Sequence, residues 1–382
     1  NMGKTTLCLH FDINKTIIMS DLGSGRSIEG TLNSLLSECA WGNYNEKPIS
    51  ERLPSDWSLQ HPHPSTDPPK PGLVTLGSFL EDHTKLPKSE QRKAKTTFTE
   101  LGGLGELFRP FYEEIKNSLT PSTVTESFKF IETGYYHIIP SFFRLIEYLV
   151  DENYEFYLIF RTFGVDAINV IEEFNIFCEG MHPIFKPKKK LDGSDPSFCR
   201  DLRIKYPFCS GKITRFSDDA NGIQFLRSNS KKEEDTITGS KDIYDLIMRK
   251  WFQIPIYSLK TQNFELEETK KPEKHYSAMI QDDYEYWHKN EESDTSGKLM
   301  MINPSANDLN NDYSLIEVFF DDNIERDRAH IVDVRDYESF NPISFSEAVK
   351  NNYIRRVEPY KAIVNENYYI DEIKSIIEKN RK

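Results

Sequence analysis

Three apolar runs, far apart in the chain, each end on polar side chains, and this arrangement constrains the fold of the 382 residues more than any other feature. Thr6-Leu7-Cys8-Leu9-His10-Phe11-Asp12 closes on a carboxylate and runs into Ile13-Asn14-Lys15-Thr16. Phe156-Tyr157-Leu158-Ile159-Phe160-Arg161-Thr162 closes on a hydroxyl, followed by Phe163-Gly164. Ser314-Leu315-Ile316-Glu317-Val318-Phe319-Phe320 closes on Asp321-Asp322-Asn323. Such runs read as buried strands of an open parallel sheet. Sheets of that kind bind ligands beyond the carboxyl ends of their strands. Burying an ionised carboxylate is costly unless a cation or hydrogen bonds compensate. Paired carboxylates beside a third repel one another, so a cation is their natural occupant. Each end also has a plainer reading: Asp12 as a cap, Thr162 as an ST-turn, Asp321 and Asp322 as an N-cap pair.

The segments between these runs fill in an α/β pattern. Ser27 to Trp41 carries a helical stripe of Ile28, Leu32, Leu35 and Leu36. Residues 42–75 hold Pro62, Pro64, Pro68, Pro69 and Pro71, a composition that rejects helix and central strand and favours an extended flap or surface loop. Residues 105–118 read as helix. Ile138 to Val150 is an amphipathic helix leading into the Thr162 strand, and Asp166 to Phe177 is the next helix, giving βαβ grammar. Residues 228–240 are polar and read as a loop, Ala329 to Val334 as a strand, and Tyr368 to Lys379 as a terminal helix. The expected architecture is an α/β, Rossmann-like three-layer core with a parallel sheet and long flap or cap insertions. The core covers 1–20 and 130–382 with a further insertion around 185–295, and 21–129 form a flap or cap.

Composition narrows the function. The net charge of −13, with no long acidic block, argues against a general nucleic-acid or anionic-membrane binder, because phosphate backbones need a basic face. No stretch approaches a membrane span, and no basic start followed by an apolar stretch marks a signal peptide. Asn1 ahead of Met2 reads as a cloning remnant. Cys8, Cys39, Cys178, Cys199 and Cys209 are odd in number and lack C-x-x-C spacing, which fits a reducing, cytoplasmic setting. Gly3-Lys4-Thr5-Thr6 lacks the glycine-rich approach of a P-loop. The basic run at Lys186, Lys188, Lys189 and Lys190 reads as a solvated loop, as do His61 and His63 among prolines. Tyr284, Tyr286 and Trp287 could floor a pocket or pack a subdomain.

In their order and their strand context, these motifs make the chain resemble the haloacid dehalogenase (HAD) superfamily of phosphatases and phosphotransferases. Asp12, Asn14 and Thr16 match its Asp-x-Asp/Asn-x-Thr motif, Thr162 its strand ending in Ser or Thr, and Asp321 and Asp322 its acidic pair. The resemblance implies that Asp12 is a nucleophile forming an aspartyl phosphate, and that Thr162 hydrogen-bonds a phosphoryl oxygen. Thr16 would help fix the turn. Mg²⁺ would be held by Asp12, the Asn14 backbone carbonyl, and Asp321 or Asp322, since hard oxygen ligands suit that ion. The family's third motif is a lysine, for which Lys298, 23 positions before Asp321, is the first candidate; Lys260 and Lys274 are alternatives, and a solvated surface charge is the plain reading. The implied partner is a small phosphorylated substrate or a phosphoprotein.

Asn14 departs from the pattern. The phosphatases usually carry a second Asp there, which protonates the leaving oxygen and then deprotonates water; an amide does neither. General acid–base help is typically worth about 10²–10⁴-fold. Three readings follow: a weak phosphatase, a phosphotransferase with a persistent intermediate, or a retired fold that binds a ligand or protein. His10, two residues before Asp12, shares its face and could substitute, or it is a hydrogen-bonded core histidine.

Overall fold

The computed structural model describes residues 4–19, 27–122, 134–228, 236–254, 273–303 and 313–380. They fall into two compact units: Asn1–Ile17 with Phe143–Val357 and Ile370–Lys382, and Ile18–Phe142 with Glu358–Tyr369. The second unit therefore takes in a C-terminal segment as well as the region that the sequence marks as a flap.

The strands are β1 (Lys4–Asp12), β2 (Trp41–Tyr44), β3 (Trp57–Leu59), β4 (Val74–Thr75), β5 (Glu155–Thr162), β6 (Ser210–Arg215) and β7 (Ile223–Arg227). They continue as β8 (Ile237–Thr238), β9 (Ser277–Gln281), β10 (Lys298–Ile302), β11 (Tyr313–Asp321), β12 (Val332–Asp336) and β13 (Ile354–Arg356). The main sheet of the first unit has eight strands in the order β13-β11-β1-β5-β9-β6-β7-β8. Pairing is parallel from β13 through β6, and antiparallel only where β7 and β8 extend one edge. The fold is thus mixed α/β around a large, mostly parallel sheet, in a Rossmann-like layout. The stretch 185–295, read as an insertion, contributes β6, β7, β8 and β9 to this same sheet. The chain moves outward from β1 to β5 on one side and places β11 and β13 on the other, so β1 and β11 flank a switch point of the topology.

The apolar runs form these strands because both faces are covered. Leu7, Leu9, Phe11, Phe156, Leu158, Phe160, Val318 and Phe320 are fully buried. On β5 only the first residue is part-exposed. α6 (Ala167–Cys178) follows β5, with Val170, Phe174 and Phe177 inward. β10 and β12 pair in parallel as a separate two-stranded sheet. Its residues Met300, Ile302, Val332 and Val334 share a core with Phe319 and Ile354 of the main sheet and with Ile324 and Trp287. The helix read at 368–379 is α11 (Tyr368–Asn380), and the strand read at 329–334 starts later, as β12. The loop read at 228–240 lies largely outside the described residues, although β8 falls at its end.

In the second unit, α1 (Ile28–Ser37) is capped by Ser27, whose hydroxyl accepts the Gly30 N–H. The helical stripe ends earlier than its apolar pattern suggests, because Trp41 opens β2. The proline-rich stretch 42–75 is also more regular than expected. β2 pairs antiparallel with both β3 and β4, and Pro62 to Pro71 fall in the connection between β3 and β4, where no ladder hydrogen bond is needed. Trp57, Phe79, Phe98, Phe108 and Ile115 form the buried interior of this unit. Asn33 on α1 accepts both the backbone N–H and the hydroxyl of Thr99, at 2.9 and 2.8 Å.

Among the described residues no helix is long and apolar enough to cross a membrane.

Candidate active site

β11, β1 and β5 are neighbours, and their registers (Phe320 beside Phe11, Asp12 beside Arg161) bring Asp321, Asp12 and Thr162 to one rim of the sheet. After Asp12 the chain turns sharply. Lys15 adopts a left-handed conformation (φ 58°), and Ile17 N–H bonds back to Ile13 O at 3.0 Å. A non-glycine residue in that region costs on the order of 1 kcal/mol, so the turn is held by its contacts. Those contacts run through Thr16. Its hydroxyl donates to Asp12 Oδ2 and accepts the Asp322 N–H, both at 3.3 Å. Thr16 thereby joins the acidic pair to the turn.

Lys298 opens β10, and its ammonium donates to both Asp12 Oδ1 and Asp321 Oδ2, the latter at 2.8 Å. The three side chains are almost wholly buried: Lys298 is 1% exposed, Asp12 4% and Asp321 0%. Of the three lysines considered from sequence, Lys298 is the one that meets the carboxylates. Lys274 pairs with Glu155 instead, and Lys260 lies outside the described residues. Gly297 is required just before it, because a Cβ there would lie 2.2 Å from Ile331 O across the ladder. Buried arginines hold the carbonyls on either side of Lys298. Arg215 donates to Gly297 O at 3.0 Å, and Arg161 donates to Leu299 O at 2.9 Å. Each arginine is anchored in turn, Arg161 by two bonds to Asp282 at 2.6 and 2.9 Å and Arg215 by Asp333 at 2.9 Å.

Asp12, Asp321 and Asp322 offer carboxylate oxygens that all lie within 4.8 Å of one another. Three carboxylates against the ammoniums of Lys298 and of Lys15, which lies 4.0 Å from Asp322, leave negative charge over. Burial pushes the Asp12 carboxyl well up; Lys298 opposes this, while Asp321 and Asp322 push further in the same direction. For Lys298 burial works against the ammonium, but Asp12 and Asp321 outweigh it and hold it charged well above the ordinary lysine range. An all-oxygen donor set with surplus negative charge fits a hard divalent cation.

A second group, Cys8, His10 and Glu317, also brings ligand-type atoms within 4.8 Å, but its hydrogen bonding does not suit a metal. Arg161 Nη1 lies 3.3 Å from His10 Nδ1, and a guanidinium only donates, so Nδ1 must accept. The ring hydrogen then sits on Nε2, which faces Cys8 Sγ at 4.0 Å. Burial, and then Glu317, raise the Cys8 thiol well above its ordinary value, away from the thiolate that a metal needs. Burial, and then Arg161, lower His10 well below its ordinary value. His10 is a neutral core residue stacked on Phe319, not a substitute acid or base.

At the tip of β5 the Thr162 hydroxyl accepts the Gly164 N–H at 2.8 Å and lies 3.5 Å from Asn14 Oδ1. Asn14 Nδ2 donates to Asp166 Oδ2 at 2.8 Å. The Phe163 ring faces the Lys298 ammonium at 5.0 Å and stacks on Trp287. Of the aromatic trio read on α8 (Tyr284–Lys289), Trp287 is core, while Tyr284 is half-exposed against Phe163. Sequence reading assigned no role to Asp166, Arg161, Asp282 or Phe163. Arg161 did leave a signal, a lone cation inside a buried apolar run; Asp166 looked like an ordinary helix start. None of the five cysteines forms a disulfide, and Lys188 reaches Asp151 from an exposed loop. Comparison with protein-family models, curated proteins and solved structures found no match.

Proposed function

We propose that this chain is a HAD-like, Mg²⁺-dependent phosphatase or phosphotransferase that works through an aspartyl phosphate on Asp12. The observation that carries the reading is the Lys298 ammonium bridging Asp12 and Asp321 at the carboxyl ends of adjacent parallel strands. Asp12 attacks phosphorus in line, and the leaving oxygen departs on the far side. Lys298 neutralises charge building on the phosphoryl group, and the Thr162 hydroxyl hydrogen-bonds one of its oxygens. Asp12, Asp321, Asp322 and the Asn14 carbonyl would hold the ion. When bound, Mg²⁺ supplies further charge neutralisation and helps orient the phosphoryl group. The substrate class is a small phosphorylated molecule or a phosphoprotein.

The test is release of the aryl group from p-nitrophenyl phosphate with Mg²⁺, comparing the parent with Asp12→Asn. The expected result is ion-dependent turnover lost in the variant; equal rates would refute the enzyme reading for this substrate class. A second reading, a non-catalytic binding module, is favoured by Asn14, whose amide cannot carry a proton through the reaction. Ion-dependent vanadate binding with no turnover would select it.

A further inference from the structure

The side chain of Asn14 is oriented by its partners. An ionised carboxylate accepts hydrogen bonds and donates none, so Asp166 Oδ2, 2.8 Å away, fixes which end of the amide faces it. The amide oxygen is thereby turned toward the bare flank of Gly164 and toward Thr162, whose hydroxyl donates to it at 3.5 Å, leaving its second lone pair to accept another hydrogen bond. A Cβ on Gly164 would lie 3.3 Å from Asp166 Oδ2, 3.4 Å from Thr162 Oγ1 and 3.5 Å from Asn14 Oδ1. Three oxygens, two from the turn around Gly164 and one from the turn after β1, thus border the position where a side chain on Gly164 would stand. Asp166 is 2% exposed, and it stands at the start of α6 without capping that helix through its side chain.

We propose that Asn14 Oδ1 orients the hydroxyl nucleophile of the second half-reaction by accepting its hydrogen bond, and that Asp166 is the positioning residue that keeps the amide that way round. This rests on the aspartyl-phosphate reading above. The oxygen of water or an alcohol bonds to phosphorus. The bond from phosphorus to the Asp12 oxygen breaks, with its electron pair returning to the carboxylate. The protons of the attacking hydroxyl group remain on the phosphate product. No group at position 14 takes one, so the step depends on orientation, as where a glutamine aligns the attacking water of a GTPase. A positioned acceptor does not distinguish sharply between water and an alcohol, so phosphoryl transfer to added alcohol competes with hydrolysis.

The experiment uses the full chain with p-nitrophenyl phosphate and Mg²⁺, reading the burst of p-nitrophenol and the steady-state rate separately. Asp166→Asn should keep the burst and KM, while the steady-state rate falls at least ~10-fold, because a small misplacement of a reacting group is enough for such losses. Asn14→Asp alone sets two carboxylates against each other and should also be slow. The exchanged double variant Asn14→Asp/Asp166→Asn restores an amide-to-carboxylate hydrogen bond with its direction reversed, and should recover the parent rate or exceed it. A double variant as slow as either single variant, or an unaffected Asp166→Asn, overturns the proposal. Absence of both burst and turnover in the parent removes the aspartyl-phosphate reading itself, and the proposal with it. If Asp166→Asn melts early, the exchanged pair still decides, since a purely structural role would restore melting without restoring the rate.

Discussion

Replacing Lys298 with methionine keeps most of the side-chain volume and removes the ammonium between Asp12 and Asp321. Both carboxylates are buried, and Lys298 is the cation that bridges them. Removing one partner of a buried ion pair costs about 3–5 kcal/mol, since an uncompensated charge remains. At about 2–4 °C per kcal/mol for a domain of ordinary size, the melting temperature in EDTA should drop by roughly 10 °C. Magnesium should reverse part of that loss. With the ammonium gone, the three carboxylates attract a dication more strongly; a tenfold gain in affinity, about 1.4 kcal/mol, is a conservative figure. The Mg²⁺-induced shift should therefore exceed the parent's by roughly 3–5 °C, while turnover falls by about 10²-fold or more through loss of charge stabilisation. The assay is a thermal melt of parent and variant in EDTA and in millimolar Mg²⁺. A variant that melts with the parent in EDTA, or gains no more than the parent from Mg²⁺, would show that the three carboxylates are not the ion's site.

His182 gives a pH prediction. Its Nδ1 accepts the N–H groups of Ile184 and Phe185, its Nε2–H faces the buried Glu173 carboxylate at 3.2 Å, and burial outweighs that partner and lowers its pKa from 6.5 to about 4. Unfolded, it takes a proton below pH 6.5, so stability present above that value is lost as pH falls toward 4. The loss is about 3 kcal/mol in total, of which about 2 kcal/mol has gone by pH 5. Urea midpoints at pH 7 and 5 should show this difference in the parent and not in His182→Gln. Arg161→Lys cannot reproduce the two bonds to Asp282 together with the bond to Leu299 O; kcat should fall by about 10-fold or more with KM little changed, and an unchanged kcat would mean that Lys298 does not depend on that grip. Gly164→Ala places a methyl among three oxygens without demanding an unusual φ, so steady-state turnover should fall while melting changes by no more than a few degrees.

The strands were legible because burial on both faces leaves an unbroken apolar run, and the helices around 138–150 and 166–177 because one face is apolar. The meeting of Asp12, Thr162 and Asp321 followed from reading those runs as parallel neighbours. Lys298 could be reached only by its spacing, since nothing local distinguishes a lysine that ends in a buried ion pair from one in solvent. β2, β3 and β4 were hidden by prolines that fall between strands rather than in them. Arg161 to Asp282 and Arg215 to Asp333 join residues more than a hundred positions apart, a separation at which no local pattern operates. Asp166 escaped notice because its partner is an asparagine on another strand tip, and a helix start is where an aspartate is unremarkable.

The separate pairing of β10 with β12 has a consequence for when the protein can react. Asp12 belongs to one sheet and its counter-charge to another, with two guanidinium groups gripping the backbone on either side of Lys298. Peeling the small sheet away would take the ammonium from Asp12 and would also uncover Phe319 and Ile354 of the large sheet, with which it shares a core. On the proposed mechanism, turnover would therefore require both sheets to be assembled together.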